Sequence, residues 1–528
     1  MRERLVEDWL SRINERGYDV AFCQTLIAKG QRILRSGHSP TEHGKDVISR
    51  SATDAQVWAY QLKTGNFSQA DLLKHHDQLK MLVETRPILP GLPENFTYHP
   101  VLVTTGEFKE PAVSLIKEFN AGWRSRGLPE LQFMGGRELL ADLLALSDDF
   151  WPVAGPAVHD LRSLYLVDGQ GDFDPINFGS FMQRLIGSSA AAKDLGRQAA
   201  ATNLFASYLL GEFYQSGDHW SVFRGWTICA AAIAGAGESA GDSRARWQEP
   251  FNLAQTAAFA ALRALTEEAR DENAFRSGAM ELDEYTRVRN LTAMSAAACG
   301  LITAEILGEL IPDTGSLLKR MEDFATRGRF LFWGEGALSQ YVMVVWALER
   351  AGRGAAAQSL LSEALRLAST KNHPESKDPL PDPYQSPDAC LMAMLAETND
   401  AKRSSAIESY TLYPLVLLCV RRQMRIELAA NWPQITRVRL TWFRTEEPAD
   451  VLRWTCERGR EYTTQFESPQ NWKDLAAIAA RQDRDRLPSV LWDNRAFALM
   501  YLLTYQHRML ASLYKRLDDV LAPAGSHG

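Results

Sequence analysis

Along Val57 to Lys63 the side chains alternate in character with a period of two, so an extended chain puts Trp58, Tyr60 and Leu62 on one face and Ala59, Gln61 and Lys63 on the other. A second apolar run, Val47-Ile48, follows Gly44-Lys45-Asp46. The stretch Ser51-Ala52-Thr53-Asp54-Ala55 between the two runs is rich in turn formers and reads as a hairpin connection, which brings Asp46 beside Gln61. A sheet is therefore required near the start of the chain, and one of its faces gathers Asp46, Gln61 and Lys63.

Chemistry gives that cluster a meaning. A carboxylate is a hard oxygen ligand suited to Mg²⁺, which keeps most of its waters and needs few protein ligands. A neighbouring lysine can steady an attacking water and the charge that builds on a phosphate. By itself the pattern also fits a hairpin with Asp, Gln and Lys on its surface, so the surrounding elements matter. A charged amphipathic helix is expected from Arg2 to Arg16, ending at Gly17, with Tyr18 opening the next element. Ser68-Gln69-Ala70-Asp71 reads as a helix cap with an acid three residues on, starting a helix that runs through about Glu84. A buried-type strand follows from His99 to Phe108, then a helix from Glu110 to Phe119, a short strand Leu131–Met134 and a helix opening at Gly136.

This order and these motifs resemble the Mrr-like branch of the PD-(D/E)xK restriction-endonuclease superfamily, in which Gln replaces the usual second acid. The resemblance covers residues 1 to 145 and rests on Gly44-Lys45-Asp46-Val47, Gln61-Leu62-Lys63 and the strand ending Val103-Thr104-Thr105-Gly106. It implies Asp46, Gln61, Lys63 and an early helix carboxylate as catalytic residues, with Asp46, Gln61 and that carboxylate on Mg²⁺ or Mn²⁺. Glu3, ahead of Leu5-Val6, fits the carboxylate's place, and Glu7 is the alternative one helical turn on. The segment Lys29 to Glu42 departs from the family, being longer than the usual linker before the Gly-x-Asp.

At 528 residues the chain exceeds one ordinary core. The sequence is read as an α/β restriction-endonuclease-like domain over 1–152 and an all-α bundle or repeat-like domain over 153–528. The linker runs from Asp148 to Pro156. Beyond it, helices are expected at Ala191–Phe213, Trp220–Ala234, Phe251–Arg270, Glu284–Leu310 and Ala401–Glu427, with strand-like material only at Val438–Phe443. Ala337 to Ala368 looks like a single tetratricopeptide-type helix pair turning at Gly352-Arg353-Gly354. Asn372 to Asp388, with five prolines, reads as a long extended loop.

Composition narrows the function classes. The net charge of −7 gives no global attraction to nucleic acid, but residues 29–80 carry eight Lys or Arg against five Asp or Glu, so any such face is local. Glycine runs such as Ala234–Glu238 lack the Lys-Ser/Thr of a phosphate loop, and ATP binding is not expected. Six scattered cysteines without Cys-x-x-Cys argue against zinc and a disulfide framework. The tryptophans are read as core anchors, and His75-His76, adjacent on a helix, as poor joint ligands. The start carries no signal-peptide core, and the longest uncharged stretch, Asn290 to Ala304, falls short of the ~20 residues of a membrane span. A cytoplasmic protein is expected. Two functions stay in view: a metal-dependent endonuclease acting on double-stranded DNA, with a helical half that senses a trigger, binds a protein partner or oligomerises, as the resemblance suggests for prokaryotic restriction or anti-phage defence; or a catalytically weak nucleic-acid-binding scaffold.

Overall fold

The computed structural model describes residues 2–521 apart from 37–43, 52, 54, 90–91, 94, 148–163, 165–172, 188–194, 242–243, 272–282, 327–332, 372–389, 391–407, 444–446, 454–460, 469, 482–486 and 506–510. The linker read at 148–156 and the proline-rich loop at 372–388 lie outside the described residues. Contacts divide the chain into two compact units, residues 1–261 and 262–528. The division expected after residue 152 does not coincide with this one, because the helices up to residue 261 group with the sheet.

In the first unit, α1 (Arg2–Arg12), α2 (Asp19–Ala28), β1 (Gln31–Ser36), β2 (Val47–Ser51), β3 (Gln56–Lys63), α3 (Gln69–Lys74), α4 (His76–Glu84), β4 (Thr97–Thr104), α5 (Glu110–Ser125), β5 (Gln132–Met134) and α6 (Gly136–Ser147) follow in order. The strands form one mixed sheet in sequence order. β1, β2 and β3 are antiparallel neighbours, while β4 runs parallel to β3 and β5 parallel to β4. The alternation along β3 sorts its two faces. Val57 and Ala59 join Leu72, Leu79, Leu82, Tyr98, Leu102 and Ile116 in a buried core under α3, α4 and α5. On the other face Tyr60 packs edge-on against Phe22 of α2, and Trp58 stacks on His99.

Local chemistry explains where the elements depart from expectation. α1 stops at Arg12 instead of continuing to Arg16, because the Asn14 side chain accepts a hydrogen bond from Gly17 N (2.9 Å) and donates to Tyr214 O (3.0 Å), closing a 3-10 turn over Glu15–Gly17. The helix expected from Ser68 to Glu84 does open on a Ser68–Asp71 capping box, but it breaks at His75 into α3 and α4. β1 lies inside the unusually long 29–42 segment and pairs with β2.

The helices Pro175–Gly187, Leu195–Ser216, His219–Ser239 and the start of Arg244–Glu268 also belong to this unit. Trp9 of α1 donates its indole N–H to Ser207 O (3.1 Å) and meets Tyr208 edge-on. The Glu249 carboxylate accepts from Ile33 N of β1 (3.3 Å). Gly211 makes room for the Trp9 indole, whose nitrogen lies 2.9 Å from where a Cβ would stand.

The second unit is mainly helical. Ala337–Arg350 and Gly354–Lys371 form the helix pair read at Gly352, which takes a positive φ of 73°. The unit is not all-α, however. β6 (Glu408–Ser409), β7 (Arg439–Phe443) and β8 (Glu461–Thr464) make a three-stranded sheet, and the strand-like 438–443 stretch is β7. The helix expected over 401–427 is also corrected: residues 401–407 lie outside the described residues, and the rest is β6, the helix Leu412–Arg421 and the start of Arg425–Ile435, broken where Gln423 takes a φ of 56°.

Asp518, with no exposed surface, binds this unit together. It accepts from the Trp346 indole N–H (2.8 Å) and pairs with Arg421 (2.6 Å) and Arg422 (2.7 Å), while Arg422 also pairs with Glu349 (2.6 Å). Burial pushes the Asp518 carboxyl up, but the two guanidiniums outweigh it and hold it below the usual carboxylate range. One segment, Thr286–Leu307, is long and apolar enough to span a bilayer, although the sequence reading found no stretch of that length; 61% of its most apolar window is buried inside the protein.

Two outcomes follow. A fragment ending at residue 150 removes the helix that covers Trp9, and is expected to be less soluble and lower melting than one ending after Glu268; equal melting temperatures would show that the sheet domain closes without those helices. Asp518→Leu leaves two guanidiniums short of a buried partner and should cost about 3–5 kcal/mol in a urea titration at pH 7. Because a depressed carboxyl contributes stability that is lost as pH falls through its folded value, the gap between wild type and variant should narrow below about pH 4.

Candidate functional site

Asp46 enters the sheet where β2 begins. The register Val47↔Tyr60 places it one step beyond the paired residues, across from Gln61. Its backbone N–H donates to Tyr60 O (2.8 Å), and its carboxylate accepts from Leu62 N (2.7 Å). The Asp46 carboxylate is thus fixed at the carboxyl end of β3, on the side where Lys63 emerges. Beyond it β4 runs parallel, with Lys63 opposite Thr104. The carboxyl ends of parallel strands are where open α/β sheets place their ligands.

Two glycines make the approach of the loops possible. Gly44 has a φ of 74°, and a Cβ there would stand 2.8 Å from the carbonyl oxygen of Gln78 in α4. Lys45 is buried beside it with its ammonium 3.3 Å from Met81 O, and burial lowers its pKa to about 8. Gly106, from the Thr-Thr-Gly motif, lies so close to the turn after β3 that a Cβ would be 2.3 Å from the carbonyl carbon of Gly65.

Gln61 is 2% exposed. Its amide nitrogen donates to the Gln78 side-chain oxygen (2.8 Å), and its own Oε1 is buried with no hydrogen-bond partner. An orphaned buried amide oxygen is costly and calls for an explanation such as a bound ion. Lys63 reaches Glu15 on the 3-10 turn, at 3.2 and 3.1 Å from its two oxygens. Tyr18 donates its hydroxyl to Lys63 O (2.9 Å). The phenol's pKa is raised by burial first, and then by the carboxylates of Asp19, Glu15 and Asp46. His75 lies at the break between α3 and α4, near Gln78; burial and then the Lys63 ammonium lower its pKa.

The structure therefore brings Asp46, Gln61 and Lys63 together, as the period of two implied. It does not bring Glu3 to them. Glu3 and Glu7 are exposed on α1, and the carboxylate that meets Lys63 is Glu15, one element later. Sequence reasoning missed Glu15, His75 and Gln78. Asn14 before Glu15-Arg16-Gly17 was the available signal that the helix stops short of Glu15. The two histidines do diverge, His76 packing against Phe119 (5.1 Å) and His75 tilting toward Phe67 (6.0 Å).

Among the described residues no cluster of three His, Cys, Asp or Glu side chains is gathered to hold a metal ion, so a cation at this place depends on the Gln61 amide. The side chains of Asp46, Gln61 and Glu15 carry oxygen donors, the ligand type that Mg²⁺ and Mn²⁺ prefer. Comparison with known families, curated proteins and solved structures finds no match to this chain.

Gly44→Ala is expected to cost about 1–3 kcal/mol in chemical denaturation, since it adds left-handed strain to a contact with α4 backbone. A change within about 0.3 kcal/mol would mean that α4 shifts freely and does not define the site.

Proposed function

We propose that the chain is a metal-dependent endonuclease of the PD-(D/E)xK type acting on double-stranded DNA, with Asp46 and Gln61 holding Mg²⁺ or Mn²⁺ and Glu15 filling the place first given to Glu3. The observation that carries this reading is the buried, unpartnered Gln61 Oε1 beside Asp46 at the carboxyl end of β3. The mixed sheet with helices on both faces, running in the order the resemblance implies, supports it.

A bound divalent cation supplies Lewis-acid stabilisation of the phosphate and a more acidic water. The rest is work for the protein's own groups. Asp46 is held by Leu62 N–H, so its carboxylate meets a ligand without reorganising. The Lys63 ammonium, steadied by Glu15, stands where it can orient an attacking water and stabilise charge on the phosphate. The helical remainder is assigned a regulatory part, binding a protein partner or a second copy in response to a trigger, as suits a prokaryotic defence nuclease.

Incubating the full chain with supercoiled plasmid and Mg²⁺ or Mn²⁺ tests this. Nicking that disappears on chelation is expected, with Asp46→Ala abolishing it and Lys63→Ala lowering the rate at least ~100-fold, while Gln61→Glu is tolerated. Undiminished cleavage by folded Asp46→Ala would overturn the assignment. Metal-independent DNA binding with no cleavage of any DNA or RNA form would favour the scaffold reading instead.

A further inference from the structure

A terminal amide has two ends of opposite character. Only its oxygen can face a cation, and the N–H₂ presented to the same place would repel it. Nothing in the Gln61 backbone selects the oxygen, so the choice must come from what the nitrogen meets. Its partner is the side-chain oxygen of Gln78, at 2.8 Å. With the Gln78 Oε1 in place, turning the amide over would bring two oxygens together and lose that bond.

Gln78 is itself seated with care. Its backbone carbonyl lies 2.8 Å from where a Cβ on Gly44 would stand, and its side chain lies near the His75 imidazole at the break before α4. The glycine of the Gly-x-Asp and the interruption of the helix thus serve one contact, on a side chain that is otherwise on the exposed surface of α4.

We infer that Gln78 is a positioning residue that locks the Gln61 amide with its oxygen toward the metal site, a task an acidic residue at position 61 would not need. The inference rests on the proposed reading of Asp46 and Gln61 as metal ligands. Residues that orient ligands from behind typically change metal affinity ~10–100-fold when removed.

The test uses the symmetry of a carboxylate. Binding of Mn²⁺ to the full chain is titrated by the electron paramagnetic resonance signal of the free ion, for wild type, Gln78→Met and Gln78→Glu, each with Gln or Glu at position 61. With Gln61, Gln78→Met should weaken Mn²⁺ binding about 10-fold, and Gln78→Glu, which keeps an acceptor for the amide N–H, should retain it. With Gln61→Glu, whose two oxygens are equivalent, Gln78→Met should change affinity by less than about twofold. Equal weakening in both backgrounds, or none in either, overturns the positioning role while leaving the metal reading intact. A wild-type chain that binds no Mn²⁺ overturns that reading and the inference with it.

Discussion

The antiparallel register of β2 on β3 carries the candidate site. One backbone pair, Asp46 N–H to Tyr60 O, and one side-chain contact, Leu62 N–H to the Asp46 carboxylate, tie the entry of β2 to the end of β3. Because side chains alternate along a strand, a slip of one residue would carry Gln61 and Lys63 to the α2 face and bring Tyr60 and Leu62 in their place. Burial on both faces forbids the slip: Val57 and Ala59 are fully buried under α3 to α5, and Tyr60 is locked between Phe22 and the Gln31 side chain. The site's polar residues are placed by the apolar ones between them.

This is also why part of the site could be read from the sequence and part could not. Asp46, Gln61 and Lys63 lie on neighbouring strands of one hairpin, where a period of two and a turn signal determine which side chains meet. The Ser68–Asp71 cap is equally local, a hydroxyl and a carboxylate three residues apart. Glu15, His75 and Gln78 have no such local sign. Glu15 reaches Lys63 only because Asn14 diverts the chain at the end of α1, with its amide bonded to the carbonyl of Tyr214, 200 residues away. The break at His75 interrupts a segment whose apolar spacing continues across it, and the close approach of Gly44 to the α4 backbone needs a residue without a Cβ. The contact units divide elsewhere than the change in composition near residue 152, because α1 packs against the Leu195–Ser216 helix, far along the chain.

The second unit follows a different logic. Its alanine- and leucine-rich helices were legible from their spacing, as were the turn at Gly352 and the strand at Arg439–Phe443. The polar centre was not. Trp346, Glu349, Arg421, Arg422 and Asp518 come from three helices separated by long stretches of sequence, and each looks unremarkable in its own helix. Buried ion networks of this sort add little net stability compared with apolar packing, but they tolerate no wrong partner. In a unit whose helices otherwise offer interchangeable Ala and Leu surfaces, such a network selects one arrangement of the helix Ala511–Leu521 against Ala337–Arg350.

The use of an amide at position 61 can be understood from the same balance of charge and burial. Gln61 is almost entirely enclosed, and two carboxylates, Asp46 and Glu15, are already close enough to raise the pKa of Tyr18. A third acid in that enclosure would have to be neutralised before any cation arrived, because a buried, unpaired negative charge among like charges is costly. An amide keeps an oxygen available at no charge. It exchanges an electrostatic difficulty for a geometric one, since its two ends must be told apart, and in the inference drawn above that task falls to Gln78, admitted by the glycine at position 44. Under the proposed metal reading, Gly44, the break at His75 and the choice of Gln at 61 act as a single adaptation: a site that folds without a cation and presents an oxygen to one.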